Sequence, residues 1–248
     1  MSFIKANMQV ASSVLAGVSD RFGGHSSDPF ASLNLAMHVD DDAGSVALNR
    51  RDFAKHLTVK PEQCQWLDQV HGSQVFIADE TTTHQVPKAD AVITRARGVV
   101  CSVLTADCLP VLISNKAGTE VAAIHAGWRS LVAGIIEKTI DTMESDVEEL
   151  VVWFGPAIGA NQFEVGEDVK EAFSAAEGSK ESLKAFTALP DKEWKYLADI
   201  YQLAAVRLNI AGVKAITKPN YCTVGESRWF SYRRDGVTGR MASFIMIA

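Results

Sequence analysis

The chain predicts an α+β fold, a layered sandwich of mixed β-sheets with helices on the outside, formed as one domain over residues 1–248. Three observations carry this reading. Strand-like segments outnumber helical ones, and several follow one another with no helix between, which a plain doubly wound sheet does not allow. Both kinds of connection occur, so the sheets should be mixed. The 17 glycines and 7 prolines are spread along the chain, with no Ser/Gly-rich, Pro-rich or like-charge run to mark a linker and no repeat at a fixed period.

Taken in order, the first twenty residues hold a weak apolar stretch broken by polar residues, a poor signal peptide. A helix is predicted over 45–57, then strands at 74–80 (QVFIADE), 90–94 (DAVIT), 99–106 (VVCSVLTA) and 120–126 (EVAAIHA). The wider stretch 98–114 is apolar, but Asp107 and Pro110 interrupt it and it is short for a membrane span. Leu131, Ile135, Ile136, Ile140 and Met143 have helical spacing, which predicts a helix over 128–143. Further strands are expected at 149–155 and 213–219, and further helices at 166–175 and 196–210, the last stopped by Gly212. At the end, WFSYRR and RMASFIMIA flank DGVTG, whose turn residues predict a closing hairpin.

The net charge of −6 argues against a general grip on nucleic acid and leaves small anionic or neutral ligands as the expected partners. Four cysteines without a CxxC pair suit a reducing cytoplasm and free thiols. A soluble cytoplasmic protein with no membrane partner is expected, monomeric or a small homo-oligomer.

Three phrases carry candidate chemistry: DQVHG (68–72), TADCLPV (105–111) and AAIHAGW (122–128). Each places a borderline or soft ligand where a strand or turn ends beside Gly, Pro or a helix start. His71, Cys108 and His125 together would give two imidazoles and one thiolate, a set that suits zinc and leaves a fourth position open, as catalytic sites do. The spacing fits no short-range metal motif, and a buried cysteine is more often an inert core residue. Asp107 could be a general acid or base, or could simply bond backbone N–H groups at the strand end.

With SDRFGGHSSDPFASLNLAMHVDDD, ADAVIT, FGPAIGANQFEVG and FSYRRDGVTGRMAS, these phrases make seven ordered segments along nearly the whole chain. The sequence resembles the YfiH family, also called the polyphenol oxidase, laccase-domain or purine nucleoside phosphorylase family. That resemblance implies a layered α and β fold related to a group of cysteine hydrolases, with zinc on His71, Cys108 and His125. It also implies phosphorolysis of adenosine, inosine, guanosine and methylthioadenosine to free base and ribose 1-phosphate, and deamination of adenosine. Asp107 is then the candidate proton shuttle for deamination. Phosphorolysis requires a bound phosphate, for which Arg129, in the first turn after His125, and Arg21, beside Gly23 and Gly24, are candidates. Asn34, His38 and Arg233 complete the candidate ligand-binding set, although an arginine such as Arg21 or Arg233 is as readily an ordinary ion-pair residue. Phe30, Trp128, Phe230 and Tyr232 could stack on a purine, though aromatic residues at these spacings are more often core.

The oxidase name suggests copper, and copper could also occupy a two-His, one-Cys set. Six histidines with no His-x-His pair cannot supply the separate copper cluster of a multicopper oxidase. Two alternatives remain open: a thiol hydrolase or transferase with Cys108 as nucleophile and His125 or His71 as its base, or a factor that edits cell-wall peptidoglycan precursors.

Overall fold

The computed structural model describes residues 3–248. β1 (Phe3–Lys5) and β2 (Val14–Ser19) precede a long loop and helix α1 (Ala43–His56). Six strands follow with no α-helix between them: β3 (Cys64–Gln65), β4 (Val75–Ala78), β5 (Ala91–Thr94), β6 (Val100–Thr105), β7 (Leu109–Asn115) and β8 (Val121–Ala126). Next come α2 (Trp128–Val132), α3 (Ile135–Thr142), β9 (Leu150–Phe154), β10 (Glu164–Gly166), α4 (Glu167–Ser174) and α5 (Ser179–Ser182). The chain closes with β11 (Phe186–Ala188), β12 (Lys195–Ala198), α6 (Ile200–Ile210), β13 (Ala215–Thr217), α7 (Tyr232–Asp235) and β14 (Met241–Ile247).

Two mixed sheets dominate, in the orders β1-β2-β14-β6-β3 and β13-β9-β7-β8-β5-β4, beside a small sheet β10-β12-β11. Period-two alternation sorts each strand's residues into layers. On β7 and β8, Leu109, Val111, Ile113, Ala122 and Ile124 pack outward against Ile135 and Ile136 of α3 and Leu203 and Leu208 of α6. Leu112, Val121 and Ala123 face the other way and meet Val18, Cys101, Val103 and Ile245 of the five-stranded sheet. That sheet's far side, with Val100, Leu104, Phe244 and Met246, is covered by Phe53 and Ala54 of α1. The result is the α+β layered sandwich that the sequence predicts: helix, sheet, sheet, helix.

Several elements differ from expectation. There is no closing hairpin: 230–235 is a loop and the one-turn α7, ended at Gly236 with φ +68°. β14 instead pairs with β2 and β6, Phe244 opposite Gly17 on one side and Ser102 on the other. The helix predicted over 128–143 is two, because Gly134 takes the left-handed conformation (φ +80°) that interrupts one helix and starts the next. Residues 196–198, expected as the first turn of a helix, belong to β12, and the helix begins after its cap Asp199, which accepts from the Gln202 N–H at 3.0 Å. β2, paired between β1 and β14, lies in the segment where polar interruptions hid the strand.

One connection matters most for the site. β6 belongs to the five-stranded sheet and β7 to the six-stranded one, and only Ala106, Asp107 and Cys108 link them.

Candidate metal centre and pocket

His125 lies on the face of β8 that looks between the sheets, and it is almost wholly buried. Cys108 ends the three-residue link before β7, and His71 sits in the turn that follows β3, with φ +57°. Their donor atoms all lie within 4.8 Å of one another. His71 Nε2 is 4.0 Å from Cys108 Sγ, and the two imidazole rings meet edge to face with centroids 4.7 Å apart. Gly127 passes against all three: a Cβ there would lie 3.2 Å from the His71 ring, 3.3 Å from Cys108 Sγ and 3.7 Å from the His125 ring.

Asp90, fully buried just before β5, organises the group. Its carboxylate accepts from the backbone N–H groups of Val70 (3.3 Å), His71 (3.0 Å) and Gly72 (2.7 Å), an arrangement that the left-handed conformation at His71 makes possible. It also accepts from His125 Nδ1 at 2.8 Å. With Nδ1 held by Asp90, Nε2 of His125 is the nitrogen left for a metal, once the ion displaces its proton. One carboxylate thus holds one ligand by its ring and another by its backbone. Burial would raise the Asp90 carboxyl, but the His125 ring and the Gly72 and His71 N–H groups outweigh it and hold it below the usual range.

Without a metal, charge within the cluster favours the thiolate of Cys108 and the protonated ring of His125. Burial alone would raise the Cys108 thiol, yet His125 and His71 beside it bring it down to about 6. Burial alone would lower His125, yet Cys108 and Asp90 raise it to about 9. Thiolate and imidazolium stabilise each other, and a divalent cation would take the place of the imidazole proton. Tetrahedral zinc with its usual bond lengths separates two donors by roughly 3.5 Å. The cluster, with His71 and Cys108 at 4.0 Å and all donors within 4.8 Å, is wider than that by roughly half to a little over one ångström and has the donor chemistry to close on such an ion. No second group of three or more His, Cys, Asp or Glu donors is found among the described residues.

The three side chains line a pocket of about 420 Å³, within the range of small-molecule sites. Trp128, Phe163, Ile158, Ile200, Leu104 and Tyr232 give it apolar walls, and Gln69, His38, Arg233 and Arg240 give it polar ones.

Of the sequence-predicted ligand-binding residues, His38 and Arg233 reach this pocket and the others do not line it. Arg21 donates through Nε to the Ala31 carbonyl at 2.9 Å, lies over the Phe230 ring and pairs with Asp235 at 3.8 Å. Arg129 is exposed and stacks on Trp128 at 4.2 Å, at the start of a helix only five residues long. Asn34 is fully buried, and its amide is used up on Ala36, Asp41 and the Arg240 N–H. These three serve the scaffold around the pocket. Among the candidate aromatics, Trp128 and Tyr232 line the pocket, whereas Phe30 and Phe230 are core.

Asp107 is beside the pocket, but both of its carboxylate oxygens are engaged. Thr223 and Ser231 donate hydroxyls to it at 2.5 and 2.7 Å, and the Arg233 N–H donates at 2.6 Å. The residue takes φ +96° to make this reach. Its second reading, a carboxylate that bonds N–H and O–H groups at a strand end, describes what the structure contains.

Three residues of the site were missed: Asp90, buried behind the ligands, and two that line the pocket, Arg240 and Gln69, whose amide bonds both backbone groups of Leu104. Asp90 had a legible signal, an acid directly before a buried strand. Arg240 was hidden by the hairpin assignment.

Comparison with known proteins gives concordant results. A family model described as multi-copper polyphenol oxidoreductase laccase matches residues 15–248. Purine nucleoside phosphorylase PA4543 of Pseudomonas aeruginosa is 46% identical over 235 residues, 94% of this chain and 93% of that protein. Purine nucleoside phosphorylase YfiH of Escherichia coli is 48% identical over 238 residues, 94% of each. Among solved structures, Neisseria meningitidis protein NMB0706 superposes with a TM-score of 0.92 at 39% identity, covering 100% of this chain and 99% of that one. YlmD from Geobacillus stearothermophilus superposes with a TM-score of 0.88 at 31% identity, over 95% and 92% of the two chains.

Proposed function

We propose, for a chain that belongs to the family described as multi-copper polyphenol oxidoreductase laccase, the activity of a zinc-dependent purine nucleoside phosphorylase. Its substrates are adenosine, inosine, guanosine and methylthioadenosine, split by phosphate into free base and ribose 1-phosphate, and adenosine deamination is a secondary reaction of the same pocket. The carrying observation is the convergence of His71, Cys108 and His125 on one point of a pocket whose other walls are largely, though not wholly, aromatic and aliphatic. A flat, weakly polar base suits such walls, and the names of the relatives agree with that choice.

His71, Cys108 and His125 would hold the ion, and zinc rather than copper is the better match for a borderline donor set in a reducing compartment, although copper could compete for it. When bound, the metal supplies Lewis-acid polarisation at the pocket floor. The chain's own part is positional. Asp90 fixes the protonated Nδ1 of His125 and the backbone of His71, so neither ligand reorganises during turnover. Trp128, Phe163 and Tyr232 exclude water around the base, which favours attack by phosphate over hydrolysis. Asp107 positions the Ser231–Arg233 segment at the pocket's edge and, with both oxygens engaged by donors, is not assigned the proton transfer of deamination.

A second reading is favoured by one observation. Asp90, His125 and Cys108 stand in line as acid, base and thiol, the order a thiol nucleophile requires. Alkylation separates the two readings, since a thiolate held by zinc has its lone pairs engaged. Cys108 should label slowly with iodoacetamide in zinc-loaded protein and much faster after chelation. Rapid, activity-destroying labelling with zinc retained would select the thiol mechanism.

The deciding assay offers purified protein a nucleoside panel with and without phosphate and follows free base and ribose 1-phosphate. Phosphate-dependent base release, lost on chelation and restored by zinc, is expected. Its absence in metal-loaded protein would overturn the proposal.

A further inference from the structure

We propose that Arg240, with His38 beside it, forms a subsite in the pocket wall that receives a phosphoryl group. The naming of the anion rests on the phosphorylase reading above; the site itself rests on the geometry of Arg240.

Arg240 immediately precedes β14, and its side chain lies half-buried on the wall of the pocket that holds Cys108 and His125. Its backbone is fixed on both sides. The Arg240 N–H donates to the buried Asn34 amide oxygen at 3.0 Å, and the Arg240 carbonyl accepts from the Leu35 N–H at 3.3 Å. One terminal nitrogen donates to the carbonyls of Thr238 (2.7 Å) and Gly239 (3.0 Å). Those bonds orient the guanidinium plane and leave its remaining donors to the pocket.

What the group lacks is a counter-ion. Arg207 and Arg95 have one, at 2.5 Å from Glu137 and 2.7 Å from Glu120, whereas the half-buried Arg50 and Arg228, also without a carboxylate, lie over the rings of Trp66 and Trp229 away from the pocket. Among the described residues no carboxylate lies within 4.0 Å of Arg240. The carboxylate in the same pocket, Asp107, is occupied by Thr223, Ser231 and the Arg233 N–H. A cation withdrawn from water without a partner is costly, and an anion entering the pocket offsets that cost. Burial also holds the Arg240 guanidinium below its ordinary range.

The neighbours fit an anion's shape. His38 lines the same pocket, and burial, with Arg240 and Arg50 nearby, lowers its imidazole, so at neutral pH it offers a single N–H rather than a second full charge. Tyr232 closes the side, its ring centroid 5.9 Å from the guanidinium. A planar fork of donors and one further N–H match a tetrahedral oxyanion better than they match a base edge. The phosphoryl group has two possible sources, free inorganic phosphate or a phosphate already carried by the ligand.

Calorimetry on zinc-loaded protein distinguishes them, with inorganic phosphate (with and without inosine) as one arm and inosine 5′-monophosphate, against inosine itself, as the other. Arg240→Gln should weaken the cognate anion by roughly tenfold or more, while Arg240→Lys, which keeps charge but not the fork, should fall between Gln and wild type. Arg129→Ala, outside the pocket, should bind as wild type. Dependence confined to the first arm identifies free phosphate; dependence confined to the second identifies a phosphorylated ligand. If Arg240→Gln, shown folded by its melting curve, binds both anions as wild type does, or if wild type binds neither, the subsite is overturned. Arg240-dependent anion binding without any base release would leave the subsite standing and sink the phosphorylase reading alone.

Discussion

At the floor of the pocket, His71 and His125 are both held through one buried carboxylate, Asp90, beside strands of the six-stranded sheet. At the rim, Tyr232, Arg233 and Arg240 ride on a segment tied down from far along the chain, by Asp107 in the sheet-to-sheet link and by Asn34 in the loop before α1. The floor runs from the wholly buried Asp90 and His125 to the exposed ring of His71, and each bond in it sets the direction of a ligand atom. The rim is exposed, with Tyr232 at 62% and Val237 at 60%, and its bonds set the position of a segment rather than of a reacting atom. Damage to the floor should therefore abolish metal binding, whereas damage to the rim should spare the metal and change how ligands are held.

The largest effect is expected from the ligands themselves. His71→Ala, Cys108→Ala and His125→Ala should each lose most of a content near one zinc per chain, measured by elemental analysis, while circular dichroism shows a folded protein. Replacing Cys64, Cys101 or Cys222 should leave the metal in place, and retention by any two of the three ligand variants would break the assignment. Next is Asp90→Asn, which keeps size but removes the charge that fixes both histidines. Zinc affinity, read by competition with a chelator, should fall by about 10- to 100-fold. An unchanged affinity would make Asp90 a packing residue only.

Asp107→Asn tests the rim. An amide has one acceptor oxygen for three donors, so the 223–233 segment should loosen, with KM for nucleoside rising by roughly tenfold and zinc content unchanged. A fall in kcat at constant KM would instead return Asp107 to proton transfer. The smallest effects belong to Arg21→Ala and Arg129→Ala, which should leave the phosphate dependence of inosine cleavage within about twofold of wild type, as surface or scaffold substitutions do. A strong phosphate-specific loss in either would restore the sequence-based assignment.

A pH series sharpens the same contrast in metal-free protein. Cys108, near 6, should remain alkylatable from pH 9 down to pH 7 and lose half its rate close to pH 6, because the thiolate persists above that value and is protonated below it. Cys64, pushed up to about 12 by burial, should stay unlabelled throughout.

The three ligand candidates of the floor, though not Asp90 behind them, were found in the sequence because their signals are local: a histidine or cysteine at a strand end beside Gly or Pro can be read within five residues. The layered architecture was legible for a similar reason, since runs such as Val121–Ile124 announce buried strands on their own. The rim was not, because its contacts are distant. Asp107 bonds Thr223 116 positions away, and Asn34 bonds the Arg240 N–H 206 positions away. DGVTG carries good hairpin chemistry, yet β14 is satisfied by β2 and β6, leaving 230–235 free to form a loop and a single turn around Asp107. Tertiary pairing overrode a valid local preference. Arg129 misled for the complementary reason: its place after His125 was right, but the left-handed glycine at 134 cut the helix short and the side chain found Trp128.

The three residues that carry the chain from β6 to β7 set a rule about length. The positive φ of Asp107, +96°, turns its carboxylate to the rim while the next residue, Cys108, faces the floor. Inserting or deleting one residue here would move Asp107 away from Thr223 and Ser231 or Cys108 away from the two histidines. Surface loops elsewhere in the chain can drift in length as sequences diverge. This link cannot, and a chain that altered it by one residue would have to find a different chemistry for the pocket.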